Sequence, residues 1–194
     1  MNRLMLVDDE VNVVNALVRV LRRRLPSSVK VEAFSDPNLA LKRAAEASFD
    51  VVISDFRMPQ MTGIAFLKRL RELQPHAIRL ILSASTEADT VMSAVNEVEV
   101  FRYLTKPWAE DELLTHLELA LTRSETERQE RELADDMRLQ QGDLSAQAKE
   151  LKRLEALEPG ITAVEWGPQG EVLMPALDAD FKNQAPKHGD EPGH

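Results

Sequence analysis

The alternation of five short apolar segments with stretches of helical spacing constrains the fold of this chain most strongly. Between the segments, apolar residues recur at three- and four-residue spacing, as they do on one face of a helix. Short segments that alternate with helices over short links predict an α/β fold, a doubly wound five-stranded parallel sheet with helices on both faces. The predicted strands are Arg3–Val7, Val29–Phe34, Val51–Ser54, Ile78–Leu82 and Phe101–Leu104.

Polar side chains cluster at the predicted carboxyl ends of these strands. The run Val51–Ile53 is rich in β-branched residues, typical of a strand buried on both faces, and it leads into Asp55. In an open parallel sheet the carboxyl ends of the strands form the edge that carries function. An alternative is that Asp55 caps a turn. The other strand ends contribute Asp8, Asp9, Ser83 and Lys106.

Three carboxylates brought close together would repel one another, and a divalent cation would relieve that repulsion. Mg²⁺ suits a site with few carboxylates and several waters. A lysine and a hydroxyl beside the metal would suit a phosphoryl group, so we predict an aspartate that accepts one. A structural Lys–Asp cluster and a plain metal site remain alternatives.

Composition limits the partners. The chain has 194 residues, is 43% hydrophobic and carries a net charge of −9, which argues against direct DNA binding. It has no cysteine, so disulfides and thiolate zinc sites are excluded. The first apolar segment is too short for a signal peptide, and no apolar run could span a bilayer. We therefore predict a soluble, cytoplasmic protein without a membrane partner.

Residues 1–122 resemble the receiver domain of two-component response regulators. The resemblance rests on the Asp8-Asp9 pair, the sequence Ser-Asp-Phe-Arg-Met-Pro around Asp55, Ser83-Ala84, and Lys106-Pro107 followed by an aromatic residue. It implies the flavodoxin-like strand order 2-1-3-4-5 and a cis Lys106–Pro107 bond. It also implies a sensor histidine kinase or a histidine phosphotransfer protein as partner.

The resemblance further implies a role for each residue of the site. Asp55 would accept the phosphoryl group from a phosphohistidine. Asp9, Asp55 and the Arg57 carbonyl would bind Mg²⁺, with Asp8 acting through water. Lys106 and Ser83 would contact the phosphoryl oxygens, and Tyr103 would turn inward behind Ser83 as part of a switch.

The last receiver helix is predicted to continue without a break from about residue 109 to 157, roughly 70 Å at 1.5 Å per residue. Heptad-like spacing within residues 123–157 predicts a coiled-coil homodimer, although Gly142 weakens the helix. A solvated single helix or a frayed linker is the alternative. The heptad positions are Leu133, Met137, Leu144, Leu151 and Leu154.

The remaining segment predicts a β-hairpin within residues 158–175, with Ile161–Trp166 and Glu171–Met174 flanking a four-residue loop. A polar tail, residues 176–194, is predicted to be disordered. No DNA-binding or catalytic output domain is recognisable, so output through an unknown downstream protein is expected.

We therefore expect a phospho-accepting response regulator that catalyses only its own phosphorylation and dephosphorylation. Phosphorylation of Asp55 would switch a dimer or partner-binding surface through the extended helix. An alternative is a phosphorelay carrier that passes the phosphoryl group to a histidine phosphotransfer protein and uses the coil as a constitutive dimeriser. A third possibility is a piece of a longer regulator.

Overall fold

The computed structural model describes residues 2–84, 98–142, 145–159, 165–166 and 172–173. Five parallel strands form one sheet in the order β2-β1-β3-β4-β5, which confirms the predicted fold class. The observed strands extend one or two residues beyond several predicted ends, so Asp55 and Lys106 are the last residues of their strands. The strands are β1 (Asn2–Val7), β2 (Val29–Phe34), β3 (Val51–Asp55), β4 (Ile78–Ala84) and β5 (Arg102–Lys106).

The helices that begin at Pro37 and Gly63 each follow a residue whose side chain caps the first turn. The Asp36 side chain accepts a hydrogen bond from the Asn38 N–H at 2.8 Å, and the Thr62 hydroxyl accepts one from the Ala65 N–H at 3.2 Å. Each satisfies a backbone donor that the first helical turn leaves unpaired. The helices are α1 (Val11–Arg24), α2 (Pro37–Glu46), α3 (Gly63–Leu73), α4 (Glu110–Gln140) and α5 (Ala146–Leu157).

Helices cover both faces of the sheet because successive side chains of a strand point to opposite sides. On one face, Met5 and Val52 pack with the buried side of α2 and α3. On the other face, Leu6 and Ile53 pack with the buried side of α1 and the first half of α4. Most residues of the central strands β1, β3 and β4 are therefore buried, so the middle of the sheet is covered on both sides.

The last receiver helix is long, as predicted, but its continuation to residue 157 is wrong. Helix α4 has 31 residues and ends at Gln140, and α5 begins separately at Ala146. Gly142 lies between them with a φ of +81°, a left-handed conformation that glycine adopts without steric cost. The long α4 is compatible with a coiled-coil extension, whereas the structure contains two separate helices in place of the predicted uninterrupted helix to residue 157.

The chain divides into two compact units, residues 1–162 and 163–194. In the second unit, β6 (Glu165–Trp166) pairs antiparallel with β7 (Val172–Leu173), which confirms the predicted pairing of these two segments. The predictions for Leu144, the hairpin loop and the tail at 176–194 lie outside the described residues. No helix in the described ranges is both long and apolar enough to cross a bilayer.

Candidate functional site

Two buried carboxylates lie side by side at the carboxyl edge of the sheet. Val7 of β1 is paired with Ser54 of β3, so the residues that follow them, Asp8 and Asp55, lie at the same level of the sheet edge. Asp8 is 0% exposed and Asp55 is 6% exposed. Buried carboxylates need compensating charge or hydrogen bonds. The fold places a residue with the opposite charge at the same edge of the sheet.

Lys106 supplies that charge from the last residue of β5. Its Nζ lies 2.6 Å from Asp8 Oδ2 and also forms an ion pair with Asp55 Oδ1. Glu10 approaches the same ammonium group at 4.0 Å from the solvent side. The structure therefore brings together Asp8, Asp55 and Lys106, which are far apart in the sequence.

Burial and this ion pair act in opposite directions on the pKa values of Asp55 and Lys106, and both pKa values are raised on balance. Burial raises the pKa of Asp55 above its ordinary value, and the hydrogen bond and charge of Lys106 oppose this rise without cancelling it. Burial works against the charged form of Lys106, but the hydrogen bonds and charges of Asp55 and Asp8 outweigh it and raise the pKa of Lys106. Lys106 therefore remains a cation beside the carboxylates.

Backbone groups fix the orientation of both carboxylates. The Arg57 N–H donates to Asp55 Oδ2 at 2.7 Å, and the Glu10 N–H donates to Asp8 Oδ1 at 3.0 Å. The Phe56 N–H donates to the Leu82 carbonyl at 2.8 Å, which ties the loop after β3 to the neighbouring strand. The Asp55 carboxylate thus has one oxygen on the backbone and one on Lys106.

The other predicted site residues lie around this edge. Asp9 is half-buried next to Asp8, and Ser83 is buried near the end of β4, paired with Thr105 of β5. The Ser83 hydroxyl donates to the Ala84 carbonyl at 3.1 Å. Tyr103 is partly buried against the core on the α2–α3 face.

Three residues of the site were not singled out by the sequence analysis for their contacts there. Glu10 approaches Lys106, as described above, and its position directly after Asp8-Asp9 could have indicated this. The Ser54 hydroxyl donates to the Asp55 carbonyl at 2.9 Å. A Cβ on Gly63 would lie 2.1 Å from that same carbonyl oxygen, so the start of α3 packs directly against the backbone of Asp55.

The donor set fits a hard divalent cation with several waters. Among the described residues, no three acidic or imidazole side chains are arranged as a metal site. Mg²⁺, however, is usually held by one or two carboxylates and completes its shell with water and other oxygen ligands. The carboxylates of Asp8, Asp9 and Asp55 provide suitable oxygens at one edge.

The family model for the response regulator receiver domain matches residues 4–118, more than half of the chain. The chain belongs to this family. Residues 4–118 are therefore a response regulator receiver domain of the kind found in two-component systems, a signalling domain. Receiver domains are phosphorylated by histidine kinases and generally bind Mg²⁺ for this reaction. The Lys106–Pro107 peptide bond is cis, as the resemblance implied.

The curated relatives are much longer proteins, and they share the receiver with this chain. The hydrogenase transcriptional regulatory protein HoxA of Bradyrhizobium diazoefficiens is 36% identical over 111 residues, which are 57% of this chain and 22% of HoxA. The DNA-binding transcriptional regulator NtrC of Proteus hauseri is 32% identical over 63% of this chain and 25% of NtrC. The chain thus spans about a quarter of the length of such relatives.

Solved structures of receiver domains have the same fold. The signal receiver domain of an HD domain-containing protein from Pseudomonas fluorescens has a TM-score of 0.61 and 33% identity, covering 66% of this chain and 92% of that one. The chemotaxis protein CheY4 of Vibrio cholerae has a TM-score of 0.56 and 30% identity, covering 62% of this chain and 99% of CheY4.

Proposed function

We propose that Asp55 is the phosphoacceptor of this receiver and that a histidine kinase or a histidine phosphotransfer protein is the donor. The observation that carries the proposal is the contact of Lys106 with the buried carboxylates of Asp55 and Asp8. An Asp55 oxygen would form the bond to phosphorus while the bond from phosphorus to the imidazole nitrogen breaks. The electron pair returns to that nitrogen, and the imidazole takes up a proton.

The neighbouring residues would prepare this transfer. The Lys106 ammonium would move its contact from the Asp55 carboxylate to a phosphoryl oxygen, because the lysine side chain is flexible and its charge stabilises the negative oxygen. Ser83 would donate a hydrogen bond to another oxygen. The Arg57 N–H keeps the Asp55 side chain oriented. Mg²⁺, held by Asp9, Asp55 and the Arg57 carbonyl with Asp8 acting through water, would neutralise charge on the transferring group.

Incorporation of phosphate from acetyl phosphate, followed by intact-protein mass spectrometry, tests the acceptor. Wild type should gain the mass of one phosphoryl group in the presence of Mg²⁺ and none when EDTA is added. Asp55→Asn should gain none. Asp50→Asn is a matched control, because Asp50 precedes the same strand and its carboxylate binds the Arg3 N–H at 2.7 Å. Equal loss in both variants would contradict the assignment.

We further propose that residues 1–122 form the receiver and that residues 123–157 carry the output as a helical extension. Light scattering with Mg²⁺, with and without beryllofluoride as a phosphoryl mimic, tests whether the site controls assembly. A change of mass in wild type but not in Asp55→Asn supports a switched dimer. A dimer in every condition would favour the phosphorelay carrier. That function would then be tested by measuring whether phosphorylated wild type transfers its phosphoryl group to a histidine phosphotransfer protein.

A further inference from the structure

Helix α5 folds back along α4 as an antiparallel partner. Lys149 forms an ion pair with Asp136, and Lys152 Nζ lies 3.0 Å from Asp135 Oδ1. Because the later lysine pairs with the earlier aspartate, the two helices run in opposite directions. The extension is therefore a helical hairpin whose second helix returns towards the receiver.

The end of α5 reaches the loop between α2 and β3. The Ser48 hydroxyl donates to the Leu157 carbonyl at 3.2 Å, and the Ser48 N–H lies 3.5 Å from the same oxygen. This carbonyl belongs to the last turn of α5, where no helical partner is available. Ser48 thus acts as a cap supplied by the receiver, at the edge of the sheet opposite Asp55.

The loop that provides this cap is held firmly. Gln74 is buried, and its Nε2 donates to the Ala44 carbonyl at 2.6 Å and to the Ala47 carbonyl at 2.7 Å. The Phe49 N–H donates to Gln74 Oε1 at 2.8 Å. Ser48 therefore lies between two residues whose backbones are fixed to the core, and it forms a preformed docking point.

In contrast, little apolar surface holds α5 in place. The helix has no buried residue, and the side chains of Lys149 and Lys152 are 32% and 51% exposed. Ion pairs this exposed stabilise weakly and are screened by salt. The folded-back position of α5 is therefore close in free energy to positions in which these contacts are broken.

Gly142, which lies between α4 and α5, is the residue whose conformation decides where α5 can lie other than in the folded-back position. Its φ is +81°, in the left-handed region that favours glycine, and no atom of the described residues beyond its chain neighbours lies within 4 Å of the place where a Cβ would be. An alanine there would fit sterically but would disfavour the turn and favour a helix. In one continuous helix, Leu151 would lie a whole number of turns after Leu133 and on the same face as Met137.

We propose that Gly142 is the hinge of a two-state extension, in which α5 either folds back onto α4 and Ser48 or continues α4 as one helix. The ion pairs and the Ser48 cap hold the folded-back state. The extended state aligns Leu133, Met137 and Leu151, each more than half exposed in the folded-back state, into one apolar stripe. Higher ionic strength should favour the extended state.

Pulsed electron spin resonance measures this equilibrium directly. The chain has no cysteine, so Ala45→Cys and Ala156→Cys, both at exposed positions, provide unique sites for spin labels. Straightening would move residue 156 away by on the order of 40 Å, at 1.5 Å per residue on each side of the hinge. Wild type at low salt should give mainly the short distance.

Gly142→Ala should increase the ratio of long to short distances by roughly fivefold or more, the ratio expected from helix propensity alone. Combined Lys149→Glu and Lys152→Glu should shift it in the same direction, and added Asp135→Lys and Asp136→Lys should restore the short distance. Arg153→Glu is the matched control, because Arg153 pairs within α5 with Glu150.

A long distance in wild type at low salt would overturn the proposal. So would an unchanged distance in Gly142→Ala, or an Arg153→Glu variant that opens as far as the double reversal. Circular dichroism of each variant confirms that the receiver is folded. The measurements use no phosphodonor, so their outcome is independent of whether Asp55 accepts a phosphoryl group.

Discussion

Leu117 and Leu151 both lie on helices that follow β5, but their surroundings differ completely. Leu117 on α4 is fully buried against the sheet, whereas Leu151 on α5 is 55% exposed. The same contrast holds for the two regions as a whole. Every residue of β3 is buried, and no residue of α5 is.

This difference shows which forces determine each region. Burial of a leucine side chain contributes about 1.5–3 kcal/mol, whereas an exposed ion pair contributes about 0.2–1 kcal/mol. The receiver therefore has one well-defined arrangement that holds the Asp55 carboxylate in position. The extension relies on contacts that salt or a competing surface can replace, which suits a part that changes conformation.

The largest expected difference in the free energy of unfolding is between the alanine variants of these two leucines. Leu117→Ala should lower the free energy of unfolding by about 2–5 kcal/mol, because it leaves a cavity under the sheet. Leu151→Ala should change it by less than about 0.5 kcal/mol. Urea unfolding followed by circular dichroism measures both. Similar losses in the two variants would mean that α5 is packed as firmly as the receiver.

Two glycines provide a second comparison. Gly63→Ala should destabilise the receiver by about 1–3 kcal/mol, because its Cβ would lie 2.1 Å from the Asp55 carbonyl oxygen. Gly142→Ala has open space around the Cβ and should leave receiver unfolding unchanged. Urea midpoints compare the two, and a stable Gly63→Ala would show that α3 can move away from Asp55. Phosphate incorporation should also fall in Gly63→Ala alone.

Alanine variants of two glutamines compare the stability contributed by a buried side-chain amide with that contributed by an exposed one. Gln74→Ala removes three hydrogen bonds to buried backbone groups and should cost about 2–3 kcal/mol. Gln129→Ala removes an exposed bond of 2.9 Å to Glu125 on α4 and should cost less than about 0.5 kcal/mol. Thermal unfolding distinguishes them. A small effect at Gln74 would indicate that water replaces its amide group.

The smallest expected effect concerns the edge of the sheet. The hydrogen bond from Arg43, at 2.9 Å, is the main reason why the pKa of Glu32 is lowered. A lowered pKa contributes stability above the unfolded-state value, and this stability is lost as the pH falls through the folded-state value. Glu32→Gln should therefore cost about 0.5–1 kcal/mol at pH 7 and progressively less below the ordinary glutamate pKa of 4.5.

Urea unfolding of wild type and Glu32→Gln across this pH range measures the difference. A constant difference between the two proteins at all pH values would show that the ion pair does not titrate. Lys30→Met provides a comparison on the same strand, because Lys30 Nζ also lies near Glu32, at 3.2 Å, but is more exposed than Arg43.

The amino-acid sequence alone determined the elements of the receiver and their order along the chain. The apolar runs, the Asp36 and Thr62 caps and the polar residues at the strand ends all depend on local chemistry, which a sequence displays directly. The resemblance to receivers then indicated the strand order and the position of the site. The long α4 and the pairing of β6 with β7 also followed from local patterns.

Only the tertiary structure decided how distant groups satisfy one another. The sequence shows Gly142 as a weak point in a helix, but the contacts of α5 are lysine–aspartate pairs with α4 and a hydrogen bond from Ser48, which is more than a hundred residues from Leu157. The role of Gln74 and the close approach of Gly63 to Asp55 likewise depend on contacts between elements. Such contacts leave no periodic signal, because each is a single meeting of two segments.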